Sequence, residues 1–77
     1  MTLSELQRLY ASHDLIEAVI EPSIREDGWI VEFRHRRGGF VPLTDSQGIE
    51  KCYYDLDEAT EYALEVGFHQ VRVADNF

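Results

Sequence analysis

Gly28-Trp29-Ile30-Val31-Glu32-Phe33-Arg34-His35-Arg36-Arg37-Gly38-Gly39-Phe40 is the stretch on which the fold turns. Trp29, Val31 and Phe33 alternate with Ile30, Glu32, Arg34 and Arg36. A period of two with one apolar side predicts a half-buried antiparallel strand. Gly38-Gly39 then predicts a two-residue hairpin, because a type I′ turn needs positive φ at both central positions. That turn would pair Arg37 with Phe40, Arg36 with Val41 and Arg34 with Leu43. Pro42 cannot donate to a ladder, so the returning strand is expected at an edge or a bulge.

Elements on either side follow from local punctuation. Thr2-Leu3-Ser4-Glu5 has capping-box form, and Leu3, Leu6, Leu9 and Tyr10 recur at helical spacing, predicting a helix over 3–11. Residues 15–21 fit two readings. Ile16, Ala18 and Ile20 alternate with Glu17, Val19 and Glu21 up to Pro22, which favours a strand, while Asp14-Leu15-Ile16-Glu17 also fits the start of a second helix. Arg25-Glu26-Asp27-Gly28 and Asp45-Ser46-Gln47-Gly48 are turns. Ile49 to Tyr54 is the strand after the second of them. Asp55 as N-cap, with Leu56, Ala59, Ala63, Leu64 and Val66 as an apolar stripe, predicts a helix over 56–66 closed by Gly67. Phe68 is expected to fold back on its last turn. Val71, Arg72 and Val73 form a last short strand, and residues 74–77 are expected to fray.

The sum is one α+β domain spanning residues 1–77, in the order α-β-β-β-β-α-β. It is a two-layer sandwich, a mainly antiparallel meander with two helices on one face and the last strand beside the first. The expected core is Trp29, Val31, Phe33, Leu56, Ala59, Ala63 and Val71. The opposite face is expected to carry Ile30, Val41, Leu43, Cys52 and Tyr54 among charges.

Composition bounds the function. A chain of 77 residues buries only roughly 60–65% of its unfolded surface, so its core is small and association is favoured. No stretch approaches the ~20 apolar residues that span a bilayer, so no membrane partner is expected. The N-terminal residues lack a basic secretory n-region, and Cys52 is the only cysteine, which fits a reducing, cytoplasmic setting. Cys52, flanked by aromatic and aliphatic residues, reads as a packed small hydrophobe.

Chemistry-bearing patterns are few. His13, His35 and His69 lie outside zinc-type spacings, so no metal is expected. No phosphate-binding glycine loop is present, and no nucleophile pair is spaced for catalysis. The reading is therefore a protein that is not an enzyme, uses no cofactor and has no evident small-molecule substrate.

Charge is the remaining signal. The formal net charge is −8, yet residues 34–54 carry four cations against two carboxylates. Arg34, Arg36 and Arg37 thus form a basic island on an acidic body, a pattern that steers partners more than it shapes a fold. Arg34 and Arg36 share a strand face, where two guanidiniums suit phosphates or carboxylates, and Phe40 and Tyr53 offer stacking surfaces. The same arginines also suit cross-strand pairing with Glu32 and Glu50. Asp57, Glu61 and Glu65 recur at i, i+4 and i+8, giving an acidic helix face that is either simply solvated or docks a basic partner. The leading expectation is a protein-interaction or accessory module in which the hairpin residues Arg34, Arg36, Arg37 and Phe40 of one copy meet Asp57, Glu61 and Glu65 of a second copy, or a separate partner supplies either side. Nucleic-acid binding through Arg34–Arg37 is the alternative, opposed by the acidic body.

Two resemblances accompany this reading. The order helix, three strands, helix resembles a double-stranded RNA-binding domain, although the last helix here is acidic. The run from Gly28 to Gly39, then Leu43-Thr44-Asp45 with Gly48, and Leu56-Asp57-Glu58-Ala59 followed by Gly67-Phe68, resembles small accessory proteins encoded near partition or replication genes of bacterial plasmids and integrated elements. That resemblance implies a DNA-maintenance context and assigns no site residues.

Overall fold

A computed structural model describes residues 1–74. Helix α1 (Leu3–Ala11) starts on the expected capping box, with Glu5 N–H donating to Thr2 Oγ1 and Thr2 N–H to Glu5 Oε1. It ends in a Schellman turn: His13 N–H reaches the Tyr10 carbonyl at 3.0 Å and Asp14 N–H the Leu9 carbonyl at 2.9 Å. His13 holds the left-handed position of that turn, φ 63°.

Residues 15–21 are strand, within β1 (Leu15–Pro22). β1 pairs antiparallel with β2 (Trp29–His35), aligning Ala18 with Phe33 and Ile20 with Val31. A bulge at Ile16 pushes that side chain out of the alternation, and it is exposed.

The hairpin register differs from expectation. β3 (Phe40–Pro42) pairs Arg34 with Phe40, Phe33 with Val41 and Glu32 with Pro42. His35 N–H bonds the Gly39 carbonyl and Gly38 N–H the His35 carbonyl, both at 2.9 Å. The loop is thus three residues, Arg36-Arg37-Gly38, with glycine in the positive-φ position of a turn and bulge rather than a two-residue type I′ turn. The slip is odd, so it exchanges faces. Val41 packs against the core and Leu43 is buried within it, both on the inner side and not the outer one.

β4 (Cys52–Tyr53) also departs from a meander. It returns to β2, pairing Ile30 with Cys52 and Trp29 with Tyr53, on the flank that β3 occupies further along. Residues 44–51 form an excursion between them, closed by a Thr44–Glu50 bridge and by Asp45, whose Oδ1 accepts from Gln47 N–H and Ile49 N–H. The expected strand over Ile49–Tyr54 is therefore only Cys52–Tyr53, with Tyr54 in a turn.

Helix α2 (Leu56–Val66) is capped by Asp55, which accepts from Asp57 N–H at 3.0 Å, and buries Ala59, Ala63 and Val66. Leu64, expected in the stripe, is 39% exposed. Phe68 packs on the core cluster, edge-on to Tyr10 and stacked on Phe33. β5 (Arg72–Val73) lies parallel to β1, so the sheet is mixed, in the order β3-β2-β1-β5 with β4 also on β2. Ala74 N–H bonds the Ile20 carbonyl at 2.8 Å, so it is tied to the sheet; residues 75–77, which complete the segment expected to fray, lie outside the described residues.

Both helices cover one face of the sheet. The core between them holds Leu6, Ile20, Val31, Phe33, Leu43, Ala59 and Ala63. Trp29, Leu56 and Val71 pack at its margin, half-buried. No helix among the described residues is long and apolar enough to cross a membrane.

Candidate interaction surface on the outer sheet face

With the helices on one side, the alternate residues of every strand form an uncovered outer face. Its registers align Glu17 with Arg34 and Arg34 with Phe40 at one end. Arg72, Val19, Glu32 and Pro42 form the middle row, and Glu21, Ile30 and Cys52 the other end. Val19 is only 2% exposed on this open face, covered at the level where its cross-strand neighbours Glu32 and Arg72 carry long aliphatic stems.

The basic island is partly neutralised from the turn that leads into β1. Arg36 Nη2 lies 3.2 Å from Asp14 Oδ1. Arg34 is aligned with Glu17 but makes no ion pair within 4.0 Å among the described residues, and neither does Arg37. Glu17 instead holds Arg72 through two bonds of 3.0 and 3.1 Å, which keep its carboxyl below the usual range. The acids expected to pair with the arginines, Glu32 and Glu50, form no ion pair among the described residues. Cross-strand alignment brings Glu17 and Asp14 to the arginines first.

At the opposite end the acids stand together. Desolvation, with a hydrogen bond to Glu21 and the charges of Glu21 and Glu50 behind it, pushes the Glu32 carboxyl up to about 7. These three carboxylates border a cavity of about 220 Å³ that is also lined by Ile24, Arg25 and the buried Ile30. An adjoining hollow of about 50 Å³ continues it to Ile49 and Cys52. Ile24 is 99% exposed and Ile49 60% exposed. Cys52 is half-buried, its Sγ 3.7 Å from the Asp27 carbonyl oxygen, and so packs at this margin as the sequence suggested.

Among the residues singled out in the sequence, Arg34 and Phe40 are cross-strand partners at the hairpin end of the outer face, Phe40 being 49% exposed, and Arg37 lies in the loop that joins their strands. Tyr53 does not join them. It pairs with Trp29 at the far end of β2, is buried, and stacks on Tyr62 at 5.0 Å, so it offers no surface to a base. Its hydroxyl is buried without a hydrogen-bond partner. Asp57, Glu61 and Glu65 are exposed on α2, a helix packed against the inner face.

The cluster of Glu21, Glu32 and Glu50 with Ile24 and Ile49 is not evident in any single stretch of sequence. Its one local signal is the placing of Glu21 and Glu32 at outward positions of adjoining strands. No group of three or more His, Cys, Asp or Glu among the described residues is placed to hold a metal. Compared with protein-family models, curated proteins and solved structures, the chain matches none.

Proposed function

We propose that this chain is a small, non-catalytic protein-interaction module that docks through its outer sheet face. One observation carries the reading: on that face Glu32 is held next to Glu21 and Glu50 with no ion pair among the described residues, beside the exposed Ile24 and Ile49. A solvated face has no reason to crowd like charges around a partly desolvated carboxylate, whereas an apolar floor with charge at its margin is the usual layout of a contact surface. The reading favours docking on the sheet over the Asp57–Glu61–Glu65 face of α2, where the carboxylates are simply exposed. The reading is of a cytoplasmic accessory protein, in keeping with the plasmid and mobile-element resemblance.

Site-specific photocrosslinking tests it. A photoreactive residue at Ile49 is expected to give discrete adducts in cells, and the same residue at Glu61 few or none. Adducts from Glu61 alone, or none from either position, would refute the outer face as the docking surface.

Nucleic-acid binding is the second reading, favoured by Arg34 standing beside exposed Phe40 with Arg37 unpaired among the described residues. Two or three phosphate contacts would give a log–log salt slope of about −2 to −3. Absence of binding to single- and double-stranded DNA and RNA at low salt would remove it.

A further inference from the structure

We infer that the partner seated on the outer face is a second copy of this chain, related by a two-fold axis that crosses the strands near Val19, Glu32 and Pro42. This inference rests on the outer face being the interaction surface. The axis reverses β2, so the Arg34–Phe40 end of each sheet lies over the Glu21–Ile30–Cys52 end of the other.

The two ends match in chemistry and in placement. Arg34 and Phe40 are direct cross-strand partners, so one hairpin presents a guanidinium and an aromatic ring side by side on the same face. The opposite end offers exposed Ile49 with half-buried Cys52 above a buried Ile30, flanked by Glu21 on β1 and Glu50 on the excursion. Under the reversal, Phe40 falls over Cys52 and Ile49, while Arg34 falls over Ile30 between the two carboxylates. Both ends lie equally far along β2 from Glu32, so one axis satisfies both contacts and an isologous dimer makes each of them twice. Among the described residues Arg34 has no ion-pair partner within its own chain, and Glu21 and Glu50 form no ion pair, although Arg25 lines the same cavity. Each Arg34 therefore gains carboxylate neighbours without breaking an ion pair, while Glu32, on the axis, is set against its own copy. Packed sheets of this kind sit about 10 Å apart.

The face is small. Seven residues of β2 at about 3.3 Å, across four strands about 4.8 Å apart, cover roughly 300–400 Å² per copy. That is about half the ~800 Å² per partner of a stable interface, so the dimer belongs to the weak, concentration-dependent class. Its charge pairs lie near solvent and weaken with salt.

Sedimentation equilibrium across concentration, at low and high salt, tests the inference in three preparations. Wild type is expected to dimerise, less so in high salt. Arg34→Glu is expected to weaken dimerisation about tenfold or more, and Glu21→Arg combined with Glu50→Arg to do the same, because each sets like charges together in both contacts. An equimolar mixture of the two variants is expected to regain wild-type association, since both contacts made by position 34 across that heterodimer are again of opposite sign. Circular dichroism checks that both variants fold. A strict monomer near millimolar concentration in low salt would overturn the inference, as would a dimer indifferent to both reversals or a mixture that stays monomeric. A monomer whose Ile49 still crosslinks to a foreign protein would overturn self-docking and leave the proposed function standing. No adduct from Ile49 at all would end both.

Discussion

Replacing Gly67 with alanine should destabilise the domain by about 3 kcal/mol, through two separable causes. Gly67 ends α2 at φ 140°, a region that L-residues rarely adopt. Positive-φ strain of this kind costs roughly 1–2 kcal/mol for a residue with a Cβ. A Cβ there would also stand 2.5 Å from two ring carbons of Tyr10. That ring is held edge-on by Phe68, their centroids 4.7 Å apart, so it cannot simply swing aside. Overpacking of this sort costs typically about 1–3 kcal/mol. The stiffer unfolded chain returns about 0.4–1 kcal/mol. For a domain whose total stability is about 4–11 kcal/mol at this length, the net loss is a large fraction. It should lower Tm by about 12–24 °C. Gly38→Ala is the control, because φ there is 105° and nothing lies within 4 Å of a new Cβ. It carries strain alone and should cost about 1 kcal/mol. Urea denaturation of both variants, and of Gly67→Ala in a Tyr10→Ala background where the clash is removed, separates the two causes. Equal losses for Gly67→Ala and Gly38→Ala would refute the packing argument, as would additivity with Tyr10→Ala.

Glu32→Gln should change stability with pH. The folded-state value of about 7 lies above the ordinary 4.5. The folded domain therefore holds the extra proton between these limits, and the associated stability is complete below about 4.5 and lost as pH rises through about 7. Discounted for solvent screening, the glutamine variant should gain about 1 kcal/mol above pH ~8 and nothing near pH ~4.5, read from paired denaturation curves; a gain independent of pH would refute the linkage. His13→Gly should stabilise by about 0.5–1 kcal/mol in thermal melts by relieving positive φ at the end of α1; a loss would mean that the histidine side chain contributes more than its backbone strain costs. Tyr53→Phe should be neutral or stabilising by up to about 1–2 kcal/mol, because it removes a buried hydroxyl with no partner; a clear loss would show that the hydroxyl is satisfied in solution.

Much of this fold is legible in the sequence because its signals are local. The Thr2 capping box, the Asp55 N-cap, the alternation over Trp29–Phe33 and the Asp45 turn each act within a few residues, and the structure has all of them. The hairpin is instructive because Gly38-Gly39 suits either loop length: both residues have positive φ in the three-residue turn as well. What distinguishes the two is apolar pattern across the strands. Only the observed register sets Val41 against Phe33 and brings Leu43 to the Val31 carbonyl. The alternative leaves Val41 opposite Arg36. Register was therefore encoded in Val31, Phe33, Val41 and Leu43 and not in the glycines. The short β4 was illegible for a different reason: whether a strand pairs with its sequence neighbour or with an earlier one is decided by which flank of β2 remains open after β3 ends. The surface followed the same division. The arginines stand out as a run, while their acidic neighbours Asp14 and Glu17, and the cluster of Glu21, Glu32 and Glu50, arise from pairing between distant segments.

β2 serves both layers, and its period of two keeps the two roles on different residues. Val31 and Phe33 point into the core and are 0% exposed. Glu32 and Arg34 point outward, Arg34 being exposed. Substitution at Phe33 should therefore cost the several kcal/mol of a lost core aromatic, with any loss of association following from unfolding. Substitution at Arg34 should do the reverse, leaving Tm within a few degrees while changing how the domain associates. Phe40 extends the comparison to β3: it is half exposed on the outer face, while its neighbour Val41 packs on the core. Phe40→Ser should follow Arg34 in its effect, and Val41→Ser should follow Phe33. If Phe40→Ser unfolds the domain as readily as Val41→Ser, the outer face is a second core, and the charges at its two ends serve stability instead of recognition.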